Sequence, residues 1–204
     1  GFYREEADYD KAINFYNKAL DLNPENPSII NNLAKAYFDV DKIELAEKYC
    51  LKALNINKDD GNIKKILSLI YLRNNNYKDG WFYFDGRLNL SDFVERNTSI
   101  KNIRKKLLVN KHINDNSKIL ILREQGVGDE ILYGTMYPDL LKKWKNVTIE
   151  CDKRLLILFQ NSFKKQANVF VNMGSVSDNK MLLDEYDHAI YAGSLGRFFR
   201  NKID

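Results

Sequence analysis

The residues best equipped for chemistry in this 204-residue chain stand together at Arg123-Glu124-Gln125-Gly126-Val127-Gly128-Asp129-Glu130. Three carboxylates, a guanidinium and a side-chain amide surround two glycines that let the backbone turn tightly. The Gly-x-Gly spacing invites a dinucleotide reading, but Ile131 holds the place of the third glycine. No Gly-Lys-Ser/Thr follows, so the turn is not a phosphate-cradling loop either. Asp129 at a helix start repels phosphate from the positive helix end. Its simplest structural role is that of helix N-cap.

The flanking elements have to position this turn. Ile119-Leu120-Ile121-Leu122 is too short an apolar run for a helix and suits a strand buried on both faces. Ile131-Leu132-Tyr133 and Met136-Tyr137 resume at helical spacing after the glycines. Strand, glycine turn and helix open a doubly wound α/β unit, in which ligands gather beyond the carboxyl ends of the strands. Downstream, Tyr133 to Trp144 reads as a helix kinked or broken near Tyr137 by Pro138. Strands are expected at Val147–Cys151, Asn168–Val171 and His188–Tyr191, with a helix over about Lys153–Phe163. That alternation predicts a parallel sheet.

The first half has another organisation. An offset of 34 aligns Ala12 with Ala46 and Gly80, Tyr16 with Cys50 and Phe84, and Tyr9 with Ile43 and Tyr77. It also aligns Ala19 with Ala53 and Tyr37 with Tyr71. Small residues let helix backbones approach, and aromatic residues fill the space between pairs. Asn23-Pro24-Glu25-Asn26-Pro27 closes one unit, while 39–41 and 74–76 are turns within units. The pattern resembles the tetratricopeptide repeat, a helix–turn–helix of this period. Under this register the chain starts part way through the first helix of a repeat, as a truncated solenoid would. The third unit departs from the pattern, with Arg87 in the place of Ala19 and Ala53 and an aromatic run, Trp81 to Phe84. That run covers a neighbouring domain or, in a sharper reading, offers Trp81 and Tyr83 as a platform for carbohydrate or peptide.

Composition narrows the classes. A hydrophobic content of 44% supports a packed core. The net charge of +4 is too mild to argue for nucleic acid. The basic join at 91–117, with Ile100, Ile103 and Leu107-Leu108 as a short amphipathic segment, lacks the aromatic interleaving of a single-strand platform. Cys50 and Cys151 read as small buried hydrophobes, pointing to a reducing compartment such as the cytoplasm. With only His112 and His188 beside them, no metal-ligand spacing exists. No apolar run is long enough to span a membrane.

The Glu-Gln-Gly-x-Gly-Asp string (Glu124 to Asp129), the Gly80-Trp81…Phe84…Arg87 run and Ser194-Leu195 together resemble bacterial tetratricopeptide proteins with a C-terminal half of glycosyltransferase family 9, the heptosyltransferase-like group. The resemblance covers Tyr9 to Phe199, with Gly196 standing where that family usually has proline. It implies repeats over 1–90, a linker over 91–117, and over 118–204 a Rossmann-like acceptor lobe of a GT-B fold, truncated at its C-terminus. It implies inverting sugar transfer to a glycan or protein acceptor, with Asp129 as general base. Glu124, Gln125, Gly126, Gly128 and Ser194 become acceptor contacts. The nucleotide-sugar donor would bind a C-terminal lobe outside this chain, so the chain alone is expected to bind no cofactor and complete no transfer. The alternative is a non-catalytic scaffold whose repeats bind protein or peptide on a concave face, with Asn31, Asn32, Lys35 and Asn62 as polar contacts.

Overall fold

The computed structural model describes residues 6–96, 103, 113–114 and 116–202. It divides into two compact units, residues 1–93 and 94–203. Most of the amphipathic segment expected in the join, including Ile100 and Leu107-Leu108, lies outside the described residues; Ile103 is buried.

The first unit is a row of antiparallel helices: α1 (Glu6–Leu22), α2 (Pro27–Asp39), α3 (Ile43–Ile56), α4 (Gly61–Arg73) and α5 (Tyr77–Phe84). A 3-10 turn (Asp85–Asn89) and the short helix α6 (Ser91–Arg96) follow. α2 packs closely on α3 and α4 on α5, making two complete hairpins. α1 is one period before α3 and so stands as the second helix of its unit, as the register has it; the start of the chain, which the register puts in a first helix, lies outside the described residues.

The 34-residue period recurs in several of the contacts. Asn26 and Asp60, one period apart, cap α2 and α4 by accepting from the second and third backbone N–H groups that follow, at 3.0–3.3 Å. Asp41 and Asn75 close the hairpin turns in the left-handed region, φ 62° and 59°. Tyr37 stacks on Tyr49 with ring centroids 5.5 Å apart, and Tyr71 lies over Tyr83 at 5.6 Å. Ala46, Cys50 and Ala53 line the buried stripe of α3. A Cβ on Gly80 would sit 3.0 Å from the Leu72 backbone nitrogen, so the glycine permits the close α4–α5 approach.

The third unit departs from the pattern for a packing reason. Arg87 is buried with Asp85 at 3.1 Å, donates to the Phe84 carbonyl and lies 4.2 Å from the Phe84 ring centroid. α5 gives way at Asp85 to the tighter 3-10 turn, which carries the guanidinium inward with its partner. Gly61 and Gly86 let this turn lie against the start of α4; a Cβ on Gly61 would be 2.7 Å from the Gly86 oxygen.

The second unit holds four parallel strands, β1 (Ile119–Leu122), β2 (Val147–Cys151), β3 (Phe170–Asn172) and β4 (His188–Tyr191), in the order β3-β2-β1-β4. β1 is central and buried throughout, as its four apolar residues required. The connecting helices are α7 (Val127–Gly134), α8 (Tyr137–Lys143), α9 (Lys153–Ser162) and α10 (Lys180–Asp184), and α11 (Gly196–Phe199) follows β4. Ile119, Ile121, Ile149, Cys151 and Ile190 pack one sheet face against Tyr133, Tyr137, Leu140, Leu155 and Phe159. Of the kink or break expected near Tyr137, the structure has a break, and the segment is two helices. The break falls at Thr135–Met136, and the proline sits in the first turn of α8, where its missing N–H costs nothing. β3 starts at Phe170, because 164–169 winds as 3-10 helix.

Candidate functional site

The sheet order places β1 between β2 and β4, so the chain reverses direction across the sheet at β1/β4. The loop after β1 (123–126) and the one after β4 (192–195) flank this switch point, where open α/β sheets bind their ligands.

Three buried glutamates hold the loops. Glu124 accepts the Gly193 N–H, joining the β1 loop to the β4 loop. Glu130 accepts from Arg123 Nε and, at 2.9 Å, from the Asp152 N–H, joining the β1 and β2 ends. Glu150 accepts from the Val176 and Ser177 N–H groups at 2.8 Å and from the Ser177 hydroxyl at 2.7 Å, fixing the loop after β3. Each is at most 2% exposed, so each carboxylate must find such donors or be neutralised. Arg123 also reaches Asp152 at 3.3 Å and donates to the Met173 sulfur at 3.3 Å. Hydrogen bonds from the Arg154 side chain and its N–H, with Arg123 adding its charge, hold the Asp152 carboxyl below the usual carboxylate range. Burial pushes the Cys151 thiol up to about 12, as befits an inert core residue.

The turn itself is more open. Gln125 is in the left-handed region at φ 61°, a conformation held by its surroundings; its Oε1 accepts from the Tyr133 hydroxyl at 3.4 Å. The N-cap of α7 is Gly126, not Asp129. Asp129 is the third helical residue, and its Oδ2 reaches back to accept the Gly126 N–H at 3.0 Å. The expectation of an N-cap at 129 is thereby corrected: the helix starts earlier, because Val127 and Gly128 already have helical backbone. Asp129 is half-buried, while Gln125, Gly126 and Gly128 are exposed. A Cβ on Gly128 would meet nothing within 4 Å.

The residues singled out from sequence therefore separate. Gln125, Gly126, Gly128 and Asp129 share one accessible turn. Glu124 (1% exposed) and Ser194 (4%) belong to its buried support and present no free surface to an acceptor. In the repeats, Asn32, Lys35 and Asn62 are exposed. Asn31 instead donates to the Asp60 carboxylate at 2.7 Å and ties α2 to the cap of α4. Tyr83 rests on Tyr71, and Trp81 is partly covered with its ring edge-on to Phe84, so the pair forms no open aromatic platform. Sequence reasoning missed Glu130 and Glu150, whose partners are backbone N–H groups 22 to 27 residues away. Among the described residues no group of three or more His, Cys, Asp or Glu side chains could hold a metal ion. No described helix is long and apolar enough to cross a membrane.

Comparison with known proteins defines the first unit. Residues 3–41 match the TPR repeat family and residues 27–60 the tetratricopeptide repeat family. The matched stretch, which covers α1 to α3, is thus made of tetratricopeptide repeats. Stress-induced-phosphoprotein 1 of Caenorhabditis elegans is 25% identical over 77% of this chain and 51% of its own length. The Sol locus transcriptional repressor of Clostridium acetobutylicum is 32% identical over 49% of this chain and 30% of its own. Protein FlbA of Caulobacter vibrioides is 24% identical over 92% of this chain and 32% of its own. The chain thus spans about half or less of the length of these relatives. No solved structure gives a significant match.

Proposed function

We propose that the chain is a protein-interaction scaffold whose tetratricopeptide repeats receive an extended peptide or a helix of a partner along α2 and α4. The observation that carries this reading is a row of exposed polar side chains that the fold does not use. Ser28, Asn32 and Lys35 follow one another along one face of α2 at helical spacing, and Asn62 repeats the position of Ser28 on α4. Amides offer both donors and acceptors to a peptide backbone, and the lysine offers a charge for a carboxylate. Selection of peptides from a random library on the immobilised protein tests it. Peptides should be enriched, and Asn32→Ala/Lys35→Ala/Asn62→Ala should abolish their capture without lowering the melting temperature.

A second reading rests on the turn at the centre of the sheet. An exposed Gly128 with open space around it and an adjacent half-buried Asp129 at the end of the central strand fit the acceptor lobe of a sugar transferase. Asp129 Oδ2 holds Gly126, which leaves Oδ1 to take a proton from an acceptor hydroxyl as its oxygen attacks the anomeric carbon. Gln125 would orient that hydroxyl. In this reading the donor lobe is supplied outside the chain. Transfer assayed in the protein as it occurs, with and without Asp129→Asn, tests the reading; equal rates overturn it.

A further inference from the structure

The outer face of α3 carries a charged stripe. Its inner stripe, Ala46, Cys50 and Ala53, is buried in the repeat core. On the opposite side Glu44, Glu47, Lys48, Leu51, Lys52 and Asn55 line a shallow recess of about 500 Å³. Their spacing (i, i+3, i+4, i+7, i+8, i+11) puts all six on one helix face. Leu51 is 40% exposed there and Leu45, at its flank, 38%. The stripe is polar along its axis, with two acids toward the helix start, two lysines after them and a leucine between the lysines. Reversed end for end, the same stripe is its own complement.

We propose that this face of α3 is an isologous contact, pairing antiparallel with the same face of a second copy of the chain. A two-fold axis crossing the helix midway along the stripe sets Glu47 against the partner's Lys52 and Glu44 against the partner's Asn55. It also lays the stem of Lys48 over the partner's Leu51, a use of the lysine's methylenes that leaves its ammonium in water. A parallel arrangement puts like charges opposite each other and is disfavoured. α3 has 14 residues, a length of about 21 Å, so the contact is small. It belongs to the weak, concentration-dependent class, and its ion pairs are exposed enough to be screened by salt. This inference concerns the opposite helix set from the peptide row on α2 and α4, and does not depend on it.

Sedimentation equilibrium of the full chain tests it. The protein should dimerise reversibly at low salt and dissociate as salt rises. Glu44→Lys/Glu47→Lys and Lys48→Glu/Lys52→Glu should each weaken self-association by about tenfold or more. Mixing the two variants should restore a heterodimer, because an all-basic stripe then meets an all-acidic one. Leu51→Asp should also give a monomer. A wild-type chain that is monomeric at every concentration overturns the proposal, as does a mixture that fails to associate when both variants retain native circular dichroism. Pairing of α3 with a different protein while the chain itself stays monomeric overturns it equally.

Discussion

Asp129 Oδ2 accepts the Gly126 N–H at 3.0 Å, so the carboxylate nearest the open turn is also the clasp that starts α7. The clasp needs an acceptor oxygen, not a charge. Asp129→Asn should therefore fold with nearly unchanged stability, whereas Asp129→Ala should lose about 1 kcal/mol. Urea denaturation of the two variants checks this. Equal destabilisation would assign the role to the negative charge at the helix start instead.

Glu130 is the most exacting of the buried carboxylates, because it serves Arg123 and the Asp152 N–H together. Glu130→Ala strips both donors of their acceptor, and breaking such a buried pair costs about 3–5 kcal/mol. The same substitution at the exposed Glu185 should be nearly neutral, its bridge to Lys118 being solvated at 3.5 Å. Chemical denaturation of the two variants gives the comparison.

Two glycines should respond in opposite directions to alanine. At Gly128 an added Cβ meets nothing, and alanine is the better helix former by about 1 kcal/mol, so Gly128→Ala should raise stability. At Gly86 the added Cβ collides with Lys64 Cβ and Cδ, and Gly86→Ala should lower stability by about 1–3 kcal/mol. Thermal melts of the pair test whether the 3-10 turn lies against α4 as described.

Much of this architecture was legible before any coordinates. β1 announced itself because both of its faces are apolar, and the repeats did so because helix packing demands small residues at fixed intervals. α10 stayed hidden, since Lys180–Asp184 is a single turn and a half with only Leu183 buried, too little for a periodic signal. The roles of Glu124, Glu130 and Glu150 were hidden for another reason. A glutamate's type predicts a solvated surface, and what buries these three is a set of backbone N–H groups brought near only by the folded sheet. Asn31 and Asn32 show the same limit at closer range. They are neighbours in sequence and alike in type, yet one is bound to the Asp60 cap and the other faces solvent.

The thiols carry a pH dependence. Burial pushes both Cys50 and Cys151 up to about 12, above the value of about 8.5 expected when unfolded. The stability this contributes is complete below about pH 8.5 and is lost as the pH rises toward 12. Asp152 runs the other way. Its depressed carboxyl stabilises the fold above about pH 4, and that contribution disappears as the pH falls through its folded value. Denaturation midpoints measured across pH should decline at both ends. Arg154→Ala should flatten the acid limb, and Cys50→Ala with Cys151→Ala the alkaline one.

The scaffold account stands most directly on the row formed by Asn32, Lys35 and Asn62. Isothermal titration of a library-selected peptide against the wild type, the Asn32→Ala/Lys35→Ala/Asn62→Ala variant and Asp129→Ala decides it. The account predicts binding to the wild type and to Asp129→Ala with equal affinity, and a loss of about tenfold or more in the triple variant. Undiminished binding to the triple variant, or a loss on changing Asp129 alone, would contradict it.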